Sequence, residues 1–153
     1  DIFRILSSKK VTKYLNFMTV SNILIVSELV NEMYLRTINS KEATLSIVST
    51  KDQEVIGIIG FYNYSKIDNT AEIEFYLAEN FMNQKIMSRA LFLMIEYGFL
   101  SLKLSKILAC HTLENVYCKK LIVKNNFTFD YIEKSSSVKA GYKTDIFHYY
   151  LKN

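Results

Sequence analysis

The chain has 153 residues and a formal net charge of +4, with half its residues hydrophobic and 22% charged. So much apolar surface, carried partly by 11 Tyr and 10 Phe, excludes a disordered segment and fits one domain that buries roughly 70% of its unfolded surface. No apolar run approaches the roughly 18 residues of a spanning helix and no signal peptide opens the chain, so a cytoplasmic protein with no membrane partner is expected.

Two cysteines cannot build a disulfide framework, and Cys110, Cys118, His111 and His148 lack the paired spacing of a zinc site, so no metal is expected. Lysine far outnumbers arginine, Pro and Trp are absent and Gly occurs four times, a bias of the kind that low G and C coding produces. The lysines are spread without a stripe or cluster, so nucleic acid is not an expected partner.

Residues 1–6 open the chain inside a helix-like pattern without an initiator Met, so some upstream sequence is expected. Over residues 21–35, Ile23, Val26, Val30 and Met33 recur at three and four, which predicts a helix burying that stripe. Alternation then predicts an antiparallel meander of strands at 44–48, 55–62 and 71–77, with turns at 51–53 and 68–69. Met87, Ala90, Leu91, Met94, Ile95 and Gly98 predict a second amphipathic helix over 86–101. A short strand at 106–111 and a helix from about 114 to 124 follow. A strand, helix, strand crossover makes its strands parallel, so those at Ile73 and Ile107 should be neighbours. Two more strands, 127–133 and 144–151, are expected to be joined by a loop over 135–141. No repeat or linker interrupts the chain, so residues 1–153 form one domain.

The stretch from Ala71-Glu72-Ile73-Glu74-Phe75-Tyr76-Leu77 to Phe81, then Ile86-Met87-Ser88-Arg89-Ala90-Leu91, then Glu114-Asn115-Val116 and Asn126-Phe127 resembles the GNAT superfamily of acyl-CoA N-acetyltransferases. Within it the RimJ/RimL group is the nearest resemblance: its fourth strand reads A-E-I-G-Y-W-L, and an Asn is followed twelve residues later by Phe, as Asn115 is by Phe127. The resemblance spans nearly the whole chain and lacks only the family's first strand, which would leave an edge near Thr44. It implies an α/β (α+β) fold with a mixed, mostly antiparallel sheet, whose one parallel pair splays around a cofactor cleft between flanking helices.

The activity implied is direct transfer of an acetyl group from acetyl-CoA to a primary amine, either a protein N-terminus or a small molecule, by a monomer or homodimer. The co-substrate would lie against Tyr76, Leu77, Asn83, Gln84, Lys85, Ile86 and Asn115. The family's Q/R-x-x-G-x-G/A motif, whose amides at a helix N-terminus cradle the CoA pyrophosphate, stands here as Met82-Asn83-Gln84-Lys85-Ile86-Met87. Lys85 in place of the central Gly leaves two readings: a variant cradle in which the lysine adds charge near the diphosphate, or a non-catalytic binding or assembly module that has lost acyl-CoA.

Transfer to an ammonium needs a base, and the departing thiolate needs an acid. Glu72 sits where the RimJ/RimL group commonly carries a Glu, and alternation puts Glu74 and Tyr76 on its face of the strand. Two carboxylates on one face can raise one another's pKa and make a base. Cys118 replaces a Ser or Ala and is a candidate acid, while Ile122 stands where other members carry an acidic Tyr, and Tyr117 falls on another helical face. His111, at a strand end beside the cleft, is a further candidate base. Acceptor choice is expected to lie in residues 9–35 and the loop at 135–141.

Overall fold

The computed structural model describes residues 1–15, 17–139 and 142–153. Three helices, α1 (Ile2–Leu6), α2 (Lys9–Thr12) and α3 (Ile23–Asn39), precede the meander β1 (Thr44–Val48), β2 (Val55–Ser65) and β3 (Thr70–Leu77). The crossover helix α4 (Ile86–Leu100) leads to β4 (Lys106–Thr112), α5 (Val116–Lys124) follows, and β5 (Thr128–Lys139) and β6 (Tyr142–Lys152) close the chain. The described strands make one six-stranded sheet in the order β1-β2-β3-β4-β6-β5. All its neighbours are antiparallel except β3 and β4. β1 is one edge, as the resemblance implies, and no helix among the described residues is long and apolar enough to cross a membrane.

Each face of the sheet has its own core, because alternation sends Ile59, Phe61, Ala71 and Ile73 one way and Ile58 and Tyr76 the other. Against the first face α4 buries Met87, Leu91 and Met94, as its spacing predicts, and α5 adds Ile122. Against the second, α1 to α3 bring Ile5, Leu6, Val11 and Val26.

Two expectations are corrected. In α3 the inward row is Val26, Leu29, Met33 and Thr37, whereas Ile23 is 62% and Val30 37% exposed. The helix carries apolar residues on more than one row, and the sheet covers only the row whose Thr37 also anchors the helix end by accepting the Thr44 N–H of β1 on Oγ1 at 3.2 Å. In the C-terminal half, β5 runs on through Lys139 rather than ending at a loop from 135. Bulged pairing with β6, with Ser135 at φ 51°, carries the serines by backbone hydrogen bonds that make no demand on side-chain hydrophobicity. Residues 140 and 141 of the expected loop lie outside the described residues.

Gly98 fixes how closely α4 approaches the sheet. A Cβ there would stand 2.7 Å from Phe61 Cζ and 3.1 Å from Ile107 Cδ1, on side chains that are 1% and 0% exposed and have no room to yield. Gly98→Ala is therefore expected to destabilise the protein by about 1–3 kcal/mol despite its better helix propensity, read as a lower urea midpoint.

Candidate active site

β3 and β4 pair in parallel over three positions only, Thr70 with Lys106, Ala71 with Ile107 and Glu72 with Leu108. Beyond these β3 stays paired with β2 as far as Leu77, and β4 with β6 as far as Thr112, while the two strands part from each other. Backbone groups along 73–77 and 109–112 thus face a gap inside the sheet rather than a ladder partner. Two buried side-chain oxygens without a partner among the described residues, Tyr76 Oη and Thr112 Oγ1, sit one on each arm of the split.

At the end of the gap the chain enters α4 through a turn in which Asn83 (φ 62°) and Lys85 (φ 61°, ψ 7°) are left-handed. Lys85 is the N-cap and its side chain does not cap the helix. The first-turn N–H groups of Ile86, Met87 and Ser88 therefore keep the positive end of the helix open to an anion. Lysine occupies a conformation that glycine adopts without steric cost. The three substituted motif positions differ in kind: Met82 packs partly buried against the α1 to α3 core, Lys85 is exposed and strained, and Met87 is 8% exposed and part of the other core. Asn83 suits its left-handed site, and Gln84 turns back to donate from Nε2 to Asn80 O at 2.9 Å.

Glu72, Glu74 and Tyr76 share the face of β3 turned toward α3, as alternation predicts, and the register brings Cys110 of β4 to the same face. The two carboxylates are not equivalent. Glu72 accepts from Tyr62 Oη at 2.8 Å and from Asn63 Nδ2 at 3.3 Å, so both of its oxygens are engaged. Glu74 lines a pocket with Met33, Arg36, Thr44, Tyr62 and Tyr76. Burial pushes its pKa up, the Glu72 charge adds to the rise and Arg36 opposes it. Burial likewise raises the Tyr62 and Tyr76 hydroxyls, which stay protonated, and pushes the Cys110 thiol up to about 11.

Asn115 caps α5 by accepting the Cys118 N–H on Oδ1 at 3.1 Å. Cys118 Sγ donates to Cys110 O at 3.7 Å, and burial pushes this thiol up to about 12. His111 lies on the opposite face of β4 from the carboxylates. Its ring stacks on Phe147 with centroids 5.2 Å apart, Nδ1 contacts Thr112 O at 2.8 Å and Nε2 contacts Tyr149 Oη at 3.3 Å. Burial pulls its pKa down, so it is neutral in a stacked, hydrogen-bonded slot away from Glu72 and Glu74. The parity of β4 signals this, since His111 alternates with Ile107 and Ala109, both buried in the core. Arg36 and Tyr62, which complete the pocket, come from distant elements and carry no motif of their own.

The split of the parallel pair and the open N-terminus of α4 outline a cleft in the sheet. The chain belongs to the acetyltransferase (GNAT) domain family, whose profile matches residues 1–128. It is 29% identical over 148 residues to the uncharacterized N-acetyltransferase p20 of Bacillus licheniformis, across 95% of this chain and 82% of that protein. The fold is similar to that of spermidine N-acetyltransferase from Vibrio cholerae in complex with CoA and spermine (TM-score 0.86, 16% identity, 99% of this chain and 87% of that one). It is equally similar to the microcin C7 self-immunity acetyltransferase MccE in complex with acetyl-CoA and AMP (TM-score 0.86, 18% identity, 99% and 85%).

The strained turn gives a prediction that needs no ligand. Lys85→Gly is expected to raise stability by about 1 kcal/mol, because it relieves a left-handed side-chain-bearing residue, while Lys85→Ala gives no gain. Urea midpoints at unchanged slope measure both.

Proposed function

We propose that this protein is an acetyl-CoA-dependent N-acetyltransferase of RimJ/RimL type that acetylates a primary amine directly. The observation that carries the reading is the gap between β3 and β4, ending at the open N-terminus of α4, with the Glu74 pocket beside it. Tyr76, Leu77, Asn83, Gln84, Lys85, Ile86 and Asn115 are the residues that would hold the co-substrate. Its pyrophosphate would meet the amides of the first turn and the Lys85 ammonium, and its pantetheine arm the free edge of residues 73–77. When bound, acetyl-CoA supplies the activated acyl group. The Tyr76 and Thr112 oxygens, buried without a partner among the described residues, stand on the two arms of the split, that of Tyr76 at the Glu74 pocket, and suit polar ligands bound beside the strands.

In this reading Glu74 receives the acceptor ammonium and takes its proton on a carboxylate oxygen. Its raised pKa brings it closer to the amine it must deprotonate, which favours a base. Glu72, held by Tyr62 and Asn63, positions the hydroxyl of Tyr62 at the pocket and keeps a second negative charge beside Glu74. Cys118 stays protonated at Sγ, the state an acid requires and the opposite of what a thiolate nucleophile requires, which supports direct transfer. His111, neutral and stacked, keeps the end of β4 in place.

Glu74→Gln should lower kcat/KM by about a hundred- to ten-thousandfold and remove the acidic limb of the pH profile, where the wild-type rate rises as Glu74 loses its proton. Stability should move the other way. Because the folded pKa is raised, the wild type loses stability as pH climbs from the ordinary carboxylate range through the Glu74 value, and the glutamine variant does not. A variant that keeps both its rate and its acidic limb would remove Glu74 from the chemistry.

A further inference from the structure

The pocket beside the gap holds one carboxylate and one guanidinium that do not pair with each other. Glu74 and Arg36 both line it, and Arg36 is near enough to oppose the rise in the Glu74 pKa. Yet the ion pair Arg36 makes is with Glu32, one turn back on α3, at 3.2 Å through Nη2. The Arg36 side chain is 51% exposed, and its remaining guanidinium N–H groups are free to reach an anion in the pocket. Tyr76, 5% exposed, lines the same pocket, and its hydroxyl has no partner among the described residues. Met33 and Ile58 give the pocket apolar walls. Opposite charges that line one pocket without pairing, together with an unpartnered buried hydroxyl, are complementary to a molecule that carries both an ammonium and an anion.

We propose that the acceptor is a small zwitterionic amine, an α-amino acid with a free carboxylate, its ammonium on Glu74 and its carboxylate on Arg36. This rests on the acetyltransferase reading above and narrows it: Arg36 determines specificity, and it disfavours polycationic amines, which would set a second ammonium against the guanidinium.

The test is titration calorimetry of the whole chain with L-leucine, L-leucinamide and butanediamine, for wild type, Arg36→Gln and Arg36→Lys. Because Arg36 is exposed on one side of α3, these variants leave the core untouched. Wild type should bind leucine at least about tenfold more tightly than leucinamide, the scale of a charge-assisted contact, and butanediamine more weakly still. Arg36→Gln should erase the leucine preference and Arg36→Lys should keep part of it. Equal binding of leucine and leucinamide by wild type, or a preference that Arg36→Gln leaves intact, overturns the proposal. A protein that binds acetyl-CoA but none of the three amines also overturns it, while the acetyltransferase reading stands. One that binds leucine through Arg36 yet never acetyl-CoA overturns the acetyltransferase reading and supports the Arg36 assignment.

Discussion

Three backbone pairs hold β3 to β4, and the rest of the site follows from where that pairing stops. Along the gap each strand stays paired on its outer side, β3 with β2 over residues 73–77 and β4 with β6 as far as Thr112. Their inner edges remain polar and unpaired by the sheet, so water or a bound ligand must satisfy them. α4 packs close on the sheet where Gly98 meets Phe61 and Ile107, and its N-terminus follows directly from the end of β3.

The two faces of the sheet divide the labour. On the α4 and α5 face, alternation gives an apolar layer that locks the crossover and encloses His111 between aromatic rings. On the α3 face the same alternation lines up Glu72, Glu74 and Cys110, and burial there raises the pKa of Glu74. Partly burying two acidic groups is costly, and the arrangement is tolerated because Tyr62 and Asn63 donate hydrogen bonds to Glu72 while the Arg36 charge offsets that of Glu74.

Much of this is legible in the amino-acid order where a single periodicity governs. The parallel neighbours follow from a strand, helix, strand crossover, the α4 core from its three-and-four spacing, and the shared face of Glu72 and Glu74 from period two. What is not legible depends on partners remote in the chain. Glu72 and Glu74 look alike until Tyr62 and Asn63 take one and Arg36 faces the other. The α3 stripe is misread at Ile23 and Val30 because the helix offers several apolar rows and only tertiary packing selects one. The serines of β5 resemble a loop because backbone pairing leaves no hydrophobic signature. Lys85 stands in the sequence as a departure from the glycine motif, but only its φ of 61° shows that lysine has adopted the glycine conformation instead of reshaping the turn.

The proposed binding place of acetyl-CoA is the gap between β3 and β4, with the Lys85 turn at its mouth. Backbone amide shifts followed by NMR as acetyl-CoA is added test it most directly, because they report position as well as affinity. Saturable shifts concentrated at residues 73–77, 85–88 and 109–112, with the β1 and β5 edges unmoved, are the predicted result. An absence of shifts at millimolar acetyl-CoA, or shifts that avoid both the gap and the start of α4, would contradict it.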